Sequence, residues 1–346
     1  MTIASICKGP RNLITDVDGI AVGNAHDADL RSGVSVILPD ERAIAAVDVR
    51  GGAPGTRETD ALDATCLVDA VDAIVLSGGS VYGLDAASGA TAWLGARGRG
   101  YGMGTASKVA PVVPAAILFD LSNGGDKEWG EEPPYNAIGR MACAAAAKDF
   151  ALGNSGAGFG ARAGQIKGGL GSASAIADGG LQVGALIAVN PYGSVLVPDS
   201  HAFWAAPYEM EGEFGGYGLP ADMRHAVGLD PFIGTKGEAA ALAGGNTTIG
   251  CIAVNADLTP SEARRVAIMA QDGLARAIRP IHTPFDGDVL FVLATARKPL
   301  GSEARARQIL RLGAIAADCV ARAVARGVYE AETLGDTVGY KAYRKA

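Results

Sequence analysis

Residues 244–262 read GGNTTIGCIAVNADLTPSE, and the character of the chain changes twice within them. Two glycines and an asparagine open the stretch. Thr247 to Val254 then runs β-branched and apolar, as a buried strand does. Thr259-Pro260-Ser261-Glu262 is a capping box with proline at the first helical position, so a helix starts at Pro260 and extends to about Ile278. Asp288 to Thr295 reads as another strand. Ser302 to Arg326 repeats Ile309, Leu312, Ile315, Ala316, Val320 and Val324 along one helical face. Beyond Thr247 the chain is therefore strand, helix, strand, helix.

Upstream the same mixture recurs. Val34–Leu38, Ala43–Val49, Ala73–Leu76, Val183–Asn190 and Ser194–Val197 are short apolar runs bounded by Gly, Pro or Asp, and are expected as strands. Ala86–Leu94 and Ile138–Lys148 are rich in alanine, which suits helices lying close on a sheet. From His201 to Gly245 aromatic residues are scattered among Gly and Pro without a period, as in a long loop or lid. No internal repeat and no Pro- or Ser-rich hinge divides residues 1–346, and a single domain is expected.

The 346 residues are 49% hydrophobic, enough for a large core, and 49 glycines against 6% aromatics point to close backbone packing. With 37 acidic and 30 basic residues the net charge is −7, and no long Lys/Arg run marks a nucleic-acid surface. No apolar run approaches the roughly 18 residues of a membrane span, and residues 1–12 lack a secretory leader, so a cytoplasmic address is expected. Cys7, Cys66, Cys143, Cys251 and Cys319 contain no CxxC pair and are expected as reduced core thiols. GxSxG, HExxH and GxxxxGK[ST] are absent, and Gly156–Gly160 is an incomplete dinucleotide fingerprint. No cofactor or metal is expected.

The position of Thr247 at the entrance to a strand has a chemical reading. A hydroxyl residue behind an accessible, strained peptide bond can attack the preceding carbonyl and shift the acyl group from N to O. Hydrolysis of that ester frees an α-amine beside the hydroxyl. Such an amine titrates at about 7.7–8.0 and can act as the base for its own side chain, with no histidine needed. A turn feeding an edge strand accounts for the same residues.

Further stretches bear on that choice: DVRGGAPGTRETD at 48–60, SGGSVYGLDAASG at 77–89, AVNPYG at 188–193, NTTIGCIAVNADLTP at 246–260 and HTPFDGD at 282–288. In this order, and over nearly the whole chain, they resemble the family of L-aminopeptidase/D-esterases, β-peptidyl aminopeptidases and nylon-oligomer hydrolases. The resemblance implies an α+β fold, a four-layer αββα sandwich of the N-terminal-nucleophile type, with the connectivity shared with ornithine acetyltransferase relatives. It also implies self-cleavage between Asn246 and Thr247 into residues 1–246 and 247–346, and a homotetramer of such cleaved pairs. Asn190 resembles an oxyanion-hole asparagine, whose amide can donate without adding charge. Lys167, in AGQIKGG, resembles a lysine beside the nucleophile. Asp286 and Asp288 resemble carboxylates that orient the threonine amine; a tight Asp-Gly-Asp turn would use them equally well. Where several relatives carry an active-site tyrosine, AAILFDLSNGG places Phe119, which has no hydroxyl, and Tyr82 and Tyr192 remain as possible phenol donors to substrate.

The activity implied is an amidohydrolase of the aminopeptidase kind acting on small peptides or amides. Hydrolysis of 6-aminohexanoate oligomers is an alternative, and N-acyl transfer to an amine is another of a different class. A non-catalytic binding protein is disfavoured by Thr247 and Asn190 occurring together. No nucleic acid and no membrane is expected as a partner.

Overall fold

The computed structural model describes residues 5–238 and 245–345. In chain order its strands are β1 (Ile6–Lys8), β2 (Ile20–Asp27), β3 (Ser32–Pro39), β4 (Ile44–Val49), β5 (Thr56–Arg57), β6 (Ile74–Ser77) and β7 (Ala115–Ile117), then β8 (Arg162–Ala163), β9 (Ile166–Lys167), β10 (Gly169–Ala177), β11 (Leu181–Asn190), β12 (Thr247–Ala256) and β13 (Val289–Lys298). The helices are α1 (Asp85–Gly95), α2 (Tyr135–Ala144), α3 (Met223–Gly228), α4 (Pro260–Ala277), α5 (Arg305–Tyr329) and the short α6 (Tyr340–Tyr343). One sheet has the order β1-β10-β11-β12-β13-β4, a second the order β2-β3-β6-β7-β5, and β8-β9 form a small ribbon.

Period-two alternation assigns the faces. On β12, Ile252, Val254 and Ala256 pack with Val266, Leu274, Leu312 and Val320 of α4 and α5. Ile249, Cys251 and Ala253 point the other way, into a core shared with Ile20, Ile37, Ile74 and Leu76 of the second sheet. That second sheet turns Val34, Val36 and Val75 to Ala86, Leu94 and Ile138 of α1 and α2. The result is the expected αββα sandwich. By the same alternation Thr247 faces the space between the sheets and Thr248 faces the helices.

β12 and β13 are parallel, with α4 crossing between them, and the capping box at Thr259 and Glu262 forms as read from the sequence. Four features differ from expectation. Ser194–Val197 is not a sheet strand: Ser194 pairs with Arg279 and Leu196 with Phe203, both loop residues. The helix expected over Ile138–Lys148 runs from Tyr135 to Ala144, and Ala147 instead pairs with Val22 of β2. The loop from His201 is anchored, because Phe203 and Phe214 join the helix-side core and Glu213 accepts from Arg322 of α5. Its residues 239–244 lie outside the described part. Cys7 and Cys66 are exposed, so only Cys143, Cys251 and Cys319 are the core thiols expected of all five. No helix among the described residues is long and apolar enough to cross a membrane.

Candidate active site

β11 ends where the antiparallel β12 begins, with Asn190 registered opposite Thr247. The chain enters β12 through Gly245, whose φ of +102° favours glycine, and an added Cβ there would lie 3.0 Å from the ring of Phe119. Asn246 then bridges to Asp286 in parallel. Its carbonyl oxygen accepts the Gly287 N–H at 3.0 Å and also the Thr247 hydroxyl. The side-chain amide nitrogen of Asn246 and the hydroxyl of Thr248 are buried without hydrogen-bond partners among the described residues.

Gly287 is held by a stretch that the sequence reading left without a role. Ala53 N–H donates to Asp286 O at 2.8 Å, Gly52 N–H to Thr283 O at 3.2 Å and Arg50 N–H to Asp288 O at 3.0 Å. The 48–60 motif therefore buttresses the 283–288 turn against Thr247. A Cβ on Gly287 would stand 2.8 Å from Thr247 Oγ1 and 2.7 Å from Ala53 O, which leaves no room for a side chain.

Beside the junction lies a cavity of about 130 Å3 lined by Phe119, Asp120, Lys167, Asn190, Lys236 and Asn246, among others. The partners of Asn190 fix which way its amide points. Oδ1 accepts from Arg162 N–H at 2.9 Å and from Lys236 Nζ at 3.0 Å, while Nδ2 donates to Phe119 O at 3.0 Å and Gly245 O at 3.2 Å. Lys167 is buried, donating to Gly158 O at 3.2 Å and Gly168 O at 2.8 Å. Burial pushes its amine down to about 7, with the charge of Asp120 opposing the fall. Asp120, which accepts from Gly79 N–H at 2.7 Å, is itself raised by burial.

The sign of the Lys167 effect on stability follows from proton binding. The folded chain releases the Lys167 proton near pH 7, whereas the unfolded chain holds it to its ordinary 10.5, so stability increases with pH across that window and the full desolvation cost is felt below 7. The melting temperature of a Thr247→Ala chain should rise between pH 7 and pH 9, and Lys167→Met should remove part of that rise. A rise unchanged by Lys167→Met would show that Lys167 is not desolvated.

The two acids of the 286–288 turn do not hydrogen-bond Thr247. Asp286 accepts from Tyr192 N–H at 2.9 Å and from the Thr283 N–H and hydroxyl at 3.1 and 2.6 Å. Asp288 accepts from Thr248 N–H at 2.8 Å and sits on His282 Nδ1 at 2.9 Å. Burial and the nearby Asp288 charge raise the Asp286 carboxyl above its usual range. Both acids clamp the turn. Phe119 packs over Gly245 and lends its carbonyl to Asn190, and Tyr192 is buried against Phe232 and Phe285. Tyr82 is half-exposed against Trp129 and does not line the cavity. Reading the sequence missed Gly287, Lys236 and Asp120. Gly287 carried a signal, since a glycine between two acids in a quoted motif marks close backbone approach; Lys236 carried none.

The model of a peptidase family, Peptidase family S58, matches residues 12–342. An uncharacterised aminopeptidase of Mycobacterium tuberculosis (strain ATCC 25618 / H37Rv) is 45% identical over 347 aligned residues, covering 95% of this chain and 97% of the relative. A 6-aminohexanoate-oligomer endohydrolase of Kocuria sp. (strain KY2) is 30% identical over 294, covering 83% and 76%. Among solved structures, the L-aminopeptidase D-Ala-esterase/amidase of Ochrobactrum anthropi, described as a variant of the Ntn hydrolase fold, superposes with a TM-score of 0.70 at 21% identity and 98% and 94% coverage. A Burkholderia sp. beta-aminopeptidase gives 0.68 at 23%, covering 98% and 93%. These last two agree with the αββα layers and speak to the fold alone. A hydroxyl set on a polarised carbonyl beside a cavity with a side-chain amide and a buried lysine suits acyl chemistry, and with matches along nearly its full length the chain belongs to peptidase family S58, a hydrolase of peptide or amide bonds.

Proposed function

We propose that the chain cuts itself between Asn246 and Thr247, and that Thr247 then serves as an N-terminal nucleophile in an aminopeptidase or amidase. The observation that carries this reading is the Asn246 carbonyl, held by the Gly287 N–H and touched by the Thr247 hydroxyl. Thr247 Oγ1 adds to the Asn246 carbonyl carbon, and the Gly287 N–H stabilises the oxyanion that forms. Collapse breaks the C–N bond as the hydroxyl proton passes to the departing nitrogen, leaving an ester on Oγ1 and an amine on Thr247. Water hydrolyses the ester, giving the Asn246 carboxylate and the free hydroxyl.

In turnover the Thr247 amine takes the hydroxyl proton as Oγ1 attacks a substrate amide. Withdrawal of Gly245 frees the Asn190 amide to hold the substrate oxyanion with the Gly287 N–H. Lys167, neutral or charged near pH 7, lies on the same cavity and disfavours protonation of a nearby amine when charged. The leaving amine collects the proton, and water completes hydrolysis of the acyl-threonine. Small peptides or amino-acid amides with a free amine are the substrates of first choice. The relative named as a 6-aminohexanoate-oligomer endohydrolase favours ω-amino amides as the second.

Purified protein assayed against α-, β- and ω-amino amides, with an amine acceptor in parallel, tests the reading. Free acid is the expected product; transfer product without free acid would mean an acyltransferase. Asn190→Ala should lose roughly 3 kcal/mol of transition-state stabilisation, the scale of one oxyanion donor, while folding normally. Near-normal turnover in that variant would remove Asn190 from the site.

A further inference from the structure

Lys236 comes from the aperiodic segment, and its Nζ reaches three oxygens: Gly245 O at 3.2 Å, Asn190 Oδ1 at 3.0 Å and Asn190 O at 3.1 Å. Its backbone is fixed. The Lys236 N–H donates to Tyr192 O at 3.0 Å, and the neighbouring Thr235 is buried with its hydroxyl on Phe232 O at 2.6 Å. The side chain thus projects from a held turn and ties the end of β11 to the residue before Asn246. Desolvation lowers its amine to about 7, with Asp286 supporting the charge and Arg162 opposing it. A side chain that only filled space would not carry the cost of a buried amine.

Two consequences follow from the contacts. The Gly245 carbonyl is gripped by two donors, Lys236 Nζ and Asn190 Nδ2, both at 3.2 Å, which sets the plane of the peptide leading into Asn246. Asn190 Oδ1 is occupied by Lys236 and Arg162, which leaves only Nδ2 to face the junction. Without Lys236, Gly245 would hang on a single bond and the Asn190 amide would lose one of the two donors that orient it.

We propose that Lys236 is a positioning residue for chain cleavage, clamping the Gly245 carbonyl against Asn190 so that the Asn246 carbonyl is presented to Thr247 Oγ1. This rests on the self-cleavage reading above. Its effect is orientational, and small displacements of a reacting carbonyl are costly in rate.

Full-length chain made by cell-free synthesis, chased and sampled on denaturing gels, yields a first-order cleavage rate. Lys236→Met should slow it roughly 10- to 100-fold, and Lys236→Arg, which keeps a cationic donor, should restore a rate close to wild type. Melting of each variant in the Thr247→Ala background checks that the fold is intact. Cleavage of Lys236→Met at the wild-type rate overturns the proposal, as does equal slowing in Lys236→Met and Lys236→Arg, which would reduce Lys236 to packing. If Lys236→Met fails to fold, Lys236→Ala supplied with propylammonium replaces it: acceleration by the amine supports the clamp and no acceleration overturns it. A wild-type chain that is never cut removes the self-cleavage reading itself, a result distinct from normal cleavage in Lys236→Met.

Discussion

Thr247→Ala is expected to give one uncut, inactive chain, and the wild-type protein is expected to run on a denaturing gel as two pieces, the smaller beginning at Thr247 by mass spectrometry. The substitution removes the hydroxyl that touches the Asn246 carbonyl and, with it, both the attack on the chain and any later attack on substrate. The residue lies at the end of a ten-residue strand paired on both sides, so the fold should survive. Thr247→Ser keeps the hydroxyl and should still be cut. Thr248→Ala should also be cut, because its side chain faces the helices and its contribution to the turn, the N–H donated to Asp288, is backbone. The expected loss of activity in Thr247→Ala is the whole of it. An uncut wild-type chain that still hydrolyses amides, or normal cutting in Thr247→Ala, would sink the mechanism.

Gly287→Ala is expected to fold but to be cut at least about 100-fold more slowly, the scale of losing one oxyanion donor. The added methyl would meet Thr247 Oγ1 at 2.8 Å and Ala53 O at 2.7 Å. Ala53 is tied by its own N–H to Asp286 O, so the backbone on that side cannot easily give, and Thr247 or the turn must move. Either movement breaks the contact between the Gly287 N–H and the Asn246 carbonyl. The accompanying strain, typically 1–3 kcal/mol for an overpacked site, should register as a modest drop in melting temperature. Gly301→Ala, where an added Cβ meets nothing within 4 Å, is the matched control and should be cut normally. Normal cutting in Gly287→Ala would mean that the observed contact takes no part in the reaction.

Much of the fold was legible before any coordinates. β12, α4, β13 and α5 fall close to where periodicity, the capping box and proline placed them, because each signal is local: alternation, helical spacing and a cap are properties of neighbours in sequence. β10, GLGSASAIA, escaped that reading. Its small residues are imposed by a distant element, since a Cβ on Gly171 would lie 1.8 Å from Ala323 O of α5. Ser194–Val197 failed in the opposite sense: the run is strand-like in composition, but only loops lie beside it to pair with.

At the site the same division holds. The sequence by itself determined the family, the layer architecture through its motifs, and the identity of Thr247, Asn190 and Lys167 as residues worth placing together. Only the tertiary structure decided that Asn190 stands opposite Thr247 in register, that Asp286 accepts from Tyr192 and Asp288 from Thr248 instead of either accepting from Thr247, and that Tyr82 stays outside the cavity. It alone brought in Gly287, whose N–H donates to the Asn246 carbonyl, and Lys236, whose Nζ donates to the Gly245 carbonyl. The physical reason is range. A motif encodes what the chain does over a few residues, whereas a hydrogen bond of 3 Å between Lys236 and Asn190 depends on how a long loop packs back against a strand, and that packing is written in every residue of the core and in none of them singly.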